Sequence, residues 1–177
     1  QGVFAFISPI DFHNIEDVIP ILFEGGKIPL VLVLDRITDV RNFGAIARTA
    51  ECAGVNAILI PEQNSAAINA DAIKTSAGAL YKITVCRTWN LKLSLQFMKD
   101  SGIQLIACTG KTQENMYKPD YTPPTAIIMG SEEDGVSPEF LKMCDVKAKI
   151  PMIGKIASLN VSVATGVILY EAIRQRG

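Results

Sequence analysis

The segment before the last predicted helix combines polar side chains with a flexible loop. Ser158, Asn160 and Ser162 lead directly into an apolar helix that the sequence predicts to be buried. Polar side chains removed from water cost about 1–3 kcal/mol each unless they are hydrogen bonded, so we expect partners for them. Capping by Ser158 or Asn160, with Ser162 bonded within the first turn, accounts for one or two of the three. The loop at residues 151–155 indicates a second interpretation, in which this segment wraps a small ligand.

Three arginines surround the beginning of the first long predicted helix. Arg36, Arg41 and Arg48 could hold a phosphate group, because a guanidinium offers planar paired donors that lysine lacks. The alternative is purely structural: Asn42 caps the helix, and Arg48 pairs with Glu51 at helical spacing. The spacing alone favours neither interpretation.

A third junction, Thr109-Gly110-Lys111-Thr112, resembles the end of a phosphate-binding P-loop. That motif requires another glycine five residues before Gly110, and Leu105 occupies the position. An unrelated α/β nucleotide-binding enzyme is therefore a weakened alternative. Gly110 still offers a point where the backbone can approach a ligand closely.

Residues 130–135 place three acids between two glycines. Carboxylate oxygens suit a hard divalent cation, but consecutive residues of a turn seldom all point inward, and a solvated acidic turn is the default. We expect one functional acid in this turn, namely Glu132, because it lies closest to the end of the preceding strand.

The apolar runs predict strands and helices in alternation, which is typical of a mostly parallel sheet flanked by helices. The ends of the strands that finish near residues 34, 108, 129 and 150 would meet at the carboxyl edge of that sheet, where open α/β folds bind ligands. Residues before position 30 are expected to be an extension. The predicted strands are 30–34, 57–61, 83–86, 104–108, 126–129 and 146–150, and the predicted helices are 42–53, 71–76, 91–100, a short one after Pro138 and a closing one.

Composition restricts the possible classes of protein. With 177 residues, of which 49% are hydrophobic, the chain fits one globular domain. The net charge of -1 gives no overall attraction to phosphate, so RNA binding would depend on a local basic group. The cysteines form no C-x-x-C pair, a single histidine disfavours a histidine-based triad or metal site, and no apolar run approaches the roughly 20 residues of a membrane span. These features, with the lack of a secretory signal, predict a cytoplasmic protein.

Three of these segments together resemble the motifs of the SpoU (TrmH) family of RNA ribose 2′-O-methyltransferases, within the SPOUT superfamily. Residues 42–48 resemble the first motif, 128–137 the second and 150–164 the third. The similarity spans about residues 30–176 and is greatest to bacterial 23S rRNA guanosine 2′-O-methyltransferases of the RlmB type. Full-length members of that type carry a small N-terminal RNA-binding domain. We therefore expect residues 1–29 to be an extension from such a domain, with the junction at residues 1–3, and residues 30–177 to be the catalytic domain.

The resemblance implies a C-terminal deep trefoil knot, a homodimer packed through the knot region, and S-adenosylmethionine bound in a bent shape by backbone groups of the knot loops. No metal is expected. By motif position, the implied cofactor-binding residues are Thr109, Gly110, Gly130, Ile150, Met152, Ser158 and Leu159. The implied catalytic residues are Arg48, Asn42, Glu132, Ser158 and Asn160, and the expected RNA contacts are Arg36, Arg41, Lys111 and Lys155.

Methyl transfer to a ribose 2′-oxygen requires in-line attack and removal of the hydroxyl proton, so positioning should supply much of the acceleration. Arg48 is a poor base because its pKa lies above about 12. We expect it to orient the RNA phosphate and hydroxyl while a phosphate oxygen or a transiently neutral guanidinium takes the proton. rRNA is the expected substrate; the alternatives are a tRNA 2′-O-methyltransferase and a catalytically silent knotted module for RNA binding or dimerisation.

Overall fold

The computed structural model describes residues 8–177, so the expected junction at residues 1–3 lies outside the described part. Strands and helices alternate along most of this length, as the apolar runs predict. A short 3₁₀ turn, Ala79–Tyr81, precedes the third strand. The elements are α1 Ile15–Glu24, β1 Leu30–Leu34, α2 Val40–Cys52, β2 Ala57–Pro61, α3 Ala70–Thr75, β3 Thr84–Thr88, α4 Leu91–Asp100, β4 Gln104–Cys108, β5 Thr125–Met129, α5 Pro138–Met143, β6 Val146–Ala148 and α6 Val161–Arg176.

The six strands form one parallel sheet in the order β3-β2-β1-β5-β4-β6. The central strands β1 and β5 are buried at every residue, which explains why both read as continuous apolar runs. The chain builds one half of the sheet outward from β1 and the other half around β5, so the strand order reverses between these two strands. In open α/β sheets the carboxyl ends of the strands at such a reversal point form a crevice for ligands.

Helices cover both faces of the sheet and enclose two hydrophobic cores. On one face α2 and α6 pack together, with Phe43, Ile46 and Ile168 buried. On the other face α1 and α4 pack together, with Ile15 and Leu95 buried. The structure thus confirms a mostly parallel sheet flanked by helices; the deep trefoil knot stays a prediction.

Helix α1 differs from the sequence prediction, which gives only an extension before residue 30. Ile15 and Ile19 lie one helical turn apart and are almost fully buried, so the helix has an apolar face that packs on the domain. Pro20 lies inside the helix. Since proline disfavours a helix interior, it obscures this amphipathic pattern in the sequence.

Several predicted boundaries shift by one or two residues, as for β3, which runs Thr84–Thr88 rather than 83–86, and two of the shifts have a clear structural reason. Helix α2 begins at Val40 and is capped by Asp39, whose side chain accepts a hydrogen bond from the Asn42 N–H at 2.7 Å, so Asn42 is not the cap. Strand β6 ends at Ala148 because Lys149 leaves the sheet to pair with the segment around Asn115. Among the residues described, no helix is long and apolar enough to cross a membrane.

Candidate active site

Three polar side chains from different parts of the chain meet at the carboxyl edge of the sheet. The Asn160 amide donates to Glu132 Oε1 at 2.9 Å and to Asn42 Oδ1 at 3.0 Å. The Asn42 amide donates to the same Glu132 oxygen at 3.0 Å. Glu132 therefore joins the first turn of α2 to the residue that precedes α6. All three belong to the predicted catalytic set.

The acidic turn at residues 130–135 is tightly closed. A Cβ atom added to Gly130 would lie 2.0 Å from the backbone carbon of Gly135 and from the Val136 nitrogen, so only glycine fits there. Gly135 has a φ of +71°, which glycine adopts without strain. The turn brings Glu132 and its neighbours back over the end of β5.

Charged residues at the end of β1 fasten this turn. Arg36 donates to Asp134 at 3.0 Å and to the Gly135 carbonyl at 2.9 Å, and it also pairs with Asp35 at 3.2 Å. The hydrogen bond and charge of Asp35, with those of Asp134, raise the pKa of Arg36. The buried Asp35 carboxylate accepts two bonds of 2.6 Å from Ser137, one from its N–H and one from its hydroxyl. Arg36, predicted to contact RNA, thus has its donors engaged within the chain.

A cavity of about 460 Å³, called the large cavity, opens beside the turn. It lies between the ends of β4 and β5 and the loop at residues 149–160. Gly110 has no neighbour within 4 Å of an added Cβ position, so its backbone is open to the cavity. All seven predicted cofactor-binding residues line this cavity: Thr109, Gly110, Gly130, Ile150, Met152, Ser158 and Leu159.

A cavity of about 310 Å³, called the small cavity, lies on the other side of the acidic turn. Residues 131–134 and Val161 line both cavities, so the turn is the wall between them. Asn42 lines the small cavity, and Glu132 faces both. The remaining lining residues of the small cavity are Arg36, Ile37, Thr38, Asp39 and Asn64.

The loop before α6 differs from expectation in its burial. Ser158 and Asn160 are exposed in the single chain, so the predicted cost of burying them does not arise. The reason is that the loop forms the outer wall of the large cavity rather than part of the core. The predicted capping is confirmed: Asn160 Oδ1 accepts from the Ser162 N–H at 3.0 Å and from the Ser162 hydroxyl at 2.6 Å.

The predicted basic residues are spread around the site. Arg48 is exposed on α2 and lines neither cavity, and within residues 8–177 it makes no ion pair, so the alternative pairing with Glu51 is absent. Arg41 and Lys155 are also exposed. Lys111 lines the large cavity and donates to the Asp134 carbonyl at 2.9 Å.

The large cavity offers no nucleophilic thiolate. Burial raises the pKa of the Cys108 thiol to about 12, so this residue stays neutral at physiological pH. Among the described residues, no group of three or more histidine, cysteine or acidic side chains is placed to hold a metal ion. The arrangement is suited to binding a small molecule through backbone groups and orienting a second one against it.

Comparison with known proteins identifies the family of the chain. The sequence model described as the SpoU rRNA Methylase family matches residues 29–170. The chain belongs to this family. It is 40% identical over 176 residues to the 23S rRNA (guanosine-2′-O-)-methyltransferase RlmB of Photobacterium profundum, covering 99% of this chain and 71% of that protein.

Solved structures of RNA-modifying enzymes superpose on the chain. The AdoMet-bound rRNA methyltransferase of Sinorhizobium meliloti is 27% identical with a TM-score of 0.84, covering 93% of this chain and 61% of that one. The TrmH/SpoU tRNA modifying enzyme of A. aeolicus is 36% identical with a TM-score of 0.77, covering 92% of this chain and 84% of that one. The family therefore includes proteins named for either class of RNA.

Sequence reasoning missed several residues of this SpoU-family site. Asp35 and Ser137 hold the acidic turn, and Thr38 and Asn64 line the small cavity. Asp35 carried a signal, because it is a charged residue directly after a fully apolar strand at the ligand-binding edge. No sequence pattern marks Asn64, since its loop meets the site through tertiary contacts such as the hydrogen bond from the Ala66 N–H to the Ile37 carbonyl.

Proposed function

We propose that this protein transfers a methyl group from S-adenosylmethionine to a ribose 2′-hydroxyl of 23S rRNA, with a guanosine as the target nucleotide. One observation carries the proposal: residues of the second and third motifs line the large cavity, and Glu132 in its wall is hydrogen bonded to Asn42 of the first motif and to Asn160 of the third. The relatives named as RlmB support rRNA as the substrate.

The large cavity fits the methyl donor in its chemistry. Gly110 and Gly130 line the cavity, the Gly110 backbone is open to it, and Ile150, Met152 and Leu159 supply an apolar surface. Most small-molecule sites combine such apolar walls with a few fixed polar groups. When bound there, the donor supplies an electrophilic methyl group on a sulfonium.

The side chains around the wall would orient the acceptor. Glu132 keeps one carboxylate oxygen outside the amide bonds, and this oxygen can accept from a ribose hydroxyl. Asn42 and Asn160 hold Glu132 in place. The new bond joins the 2′-oxygen to the methyl carbon, the carbon–sulfur bond breaks, and the hydroxyl proton leaves to a phosphate oxygen or a transiently neutral Arg48.

We further propose that the protein acts as a homodimer through α6 and the loop before it. Apolar side chains on this surface are exposed in the single chain, namely Ile156, Leu159, Val163 and Tyr170. Contiguous exposed apolar patches mark interaction sites. Helix α2 packs beside α6, so Arg48 would lie next to the interface and could act at the partner subunit's cavity. With rRNA as substrate, we expect the enzyme in the cytoplasm.

The test combines donor binding with methyl transfer. Calorimetry should detect S-adenosylmethionine binding and no ATP binding, and labelled donor should modify transcribed 23S rRNA at one ribose, mapped by resistance of the 2′-O-methylated position to alkaline cleavage. ATP binding without donor binding would favour a nucleotide-binding enzyme. Donor binding with methyl transfer to tRNA and none to rRNA would favour a tRNA enzyme. Donor binding with no transfer to either RNA would favour a catalytically silent module.

A further inference from the structure

The small cavity adjoins the proposed methyl-donor site, and no role is yet assigned to it. It shares the wall formed by residues 131–134 with the large cavity. Since reacting atoms must approach to about 3–3.5 Å, the methyl acceptor has to lie directly against the donor. The small cavity is the adjoining space on the far side of Glu132. Its volume, about 310 Å³, is at the lower end of the range for small-molecule sites.

Charge determines which part of a nucleotide fits this cavity. Four carboxylates line it, and its one guanidinium, Arg36, is already paired with Asp35 and Asp134. The cavity therefore repels a phosphate group. A nucleobase is uncharged, and its edge carries N–H groups that a carboxylate can accept.

Three of the four carboxylates already have partners. Asp39 caps α2, Glu132 accepts from two amides, and Asp134 pairs with Arg36. Glu133 makes no hydrogen bond or ion pair with any residue in the described range 8–177, although it lines both cavities. Thr38 and Asn64 are likewise exposed there without hydrogen-bond partners among those residues. The cavity thus presents one free carboxylate, one hydroxyl and one amide.

We propose that the small cavity binds the base of the target nucleotide, and that Glu133 reads guanine by accepting hydrogen bonds from its N1–H and N2–H groups. Guanine carries these two donors side by side, and they match the two oxygens of one carboxylate. Its O6 acceptor is left for the Asn64 amide or the Thr38 hydroxyl. Uracil offers a single donor between two acceptors and fits less well. Single-stranded RNA bases are read along such edges. This inference rests on the proposed methyltransferase function.

Replacement of guanosine by inosine tests the contact, because inosine lacks only the 2-amino group. The substrate is an RNA oligonucleotide centred on the mapped methylation site, with guanosine or inosine at that position. For the wild-type protein, inosine should lower kcat/KM by about 10- to 100-fold, the loss expected for a hydrogen bond to a charged group. Glu133→Gln should lower kcat/KM on the guanosine RNA about 10-fold and reduce the guanosine-to-inosine ratio below about 3.

Matched variants separate the possible outcomes. Glu24→Gln alters an exposed acid at the end of α1 that lines neither cavity, and it should leave both values unchanged. Affinity for S-adenosylmethionine, measured by calorimetry, should be the same in wild type and Glu133→Gln. An unchanged guanosine-to-inosine ratio in Glu133→Gln would overturn the assignment. If the wild type modified neither RNA, the proposed function itself would fail, together with this inference.

A bulky substitution that fills the small cavity tests, independently of Glu133, whether the base binds there. Thr38→Trp should occupy the small cavity, raise KM for the guanosine RNA at least about 10-fold and leave donor affinity unchanged. Loss of donor affinity in a variant with an unchanged Tm would show that the small cavity belongs to the donor site, which contradicts the proposal. An unchanged KM would contradict it as well.

Discussion

The side chain of Asn160 makes two kinds of contact. Its oxygen accepts from the first turn of α6, while its nitrogen donates to Glu132 and Asn42. The polar run before α6 is therefore both a helix cap and part of the candidate active site. The two contacts use different atoms, so substitution can separate them.

Asn160→Asp should keep the cap and remove the donor. A carboxylate caps a helix as well as an amide does, but here it would face Glu132 without a bridging hydrogen. We expect kcat to fall at least about 10-fold, while the free energy of unfolding changes by only about 1 kcal/mol because Asn160 and Glu132 are exposed and water screens the added charge. Denaturant unfolding and single-turnover methylation measure the two effects. Asn90→Asp, which alters the cap of α4 alone, is the matched control and should retain full activity.

Asp35 holds the acidic turn at residues 130–135 through its hydrogen bonds with Ser137. Ser137→Ala removes the hydroxyl bond to the buried Asp35 carboxylate and keeps the backbone one. Because a hydrogen bond to a charged group contributes about 1.5–3 kcal/mol, the acidic turn should loosen. We expect weaker donor binding by calorimetry with little change in the secondary structure seen by circular dichroism. Donor affinity equal to wild type would show that the turn is held without this bond.

At the scale of the element, the close approach of α2 and α3 depends on Gly44. A Cβ atom there would lie 2.7 Å from Thr75 Cβ and 2.8 Å from the Ala72 carbonyl oxygen. Gly44→Ala should therefore destabilise the protein by about 1–3 kcal/mol, despite the better helix propensity of alanine. Gly166→Ala in α6 is the control, since its Cβ would make only ordinary contact with Thr49 at 3.5 Å. Urea unfolding gives both values, and equal stability of the two variants would contradict this account.

At the end of α6, ionisation of Glu171 should make the stability of the fold depend on pH. Hydrogen bonds from Arg174 and Gln175 lower the pKa of the buried Glu171 to about 2, from an ordinary value of 4.5. A carboxylate with a depressed pKa stabilises the fold above the unfolded pKa, and this contribution is lost as the pH falls from about 4.5 toward 2. Glu171→Gln should lower Tm at pH 7 by roughly 2–4 °C. Calorimetric melts should show this difference narrowing below pH 4.5, whereas a constant difference would exclude ionisation as the cause.

Elements with a simple pattern could be predicted from the sequence, and those with conflicting signals could not. Strands β1, β2 and β4 have the predicted bounds because parallel strands buried on both faces appear as short apolar runs. Helix α1 was missed because Pro20 interrupts its pattern. The contact between Asp35 and Ser137 joins residues 102 positions apart, and no local spacing encodes such a pairing. The strand ends alone predict a ligand site at the carboxyl edge of the sheet, whereas the identity of the residues that line the large cavity follows from the resemblance to a known family.

At the scale of the whole molecule, the proposed homodimer would give Arg48 a place at the partner subunit's site. Within one chain Arg48 lines neither cavity, and it lies six residues beyond Asn42, about 9 Å further along α2. Exposed apolar residues of the neighbouring α6 would be covered by a second copy. The proposed dimer would then bring the partner subunit's Arg48 toward the cavity wall that carries Glu132.

Subunit mixing tests this arrangement. Arg48→Ala and Glu132→Gln should each abolish methyl transfer when assembled alone, and light scattering should still report dimers. If each site combines Glu132 of one chain with Arg48 of the other, a mixed dimer contains one site with both residues intact and one site lacking both. Co-expression with two affinity tags should therefore yield a heterodimer with about half the activity of the wild type, one functional site of two. An inactive heterodimer would show that Arg48 and Glu132 must lie in the same chain, and would place Arg48 in its own subunit's site.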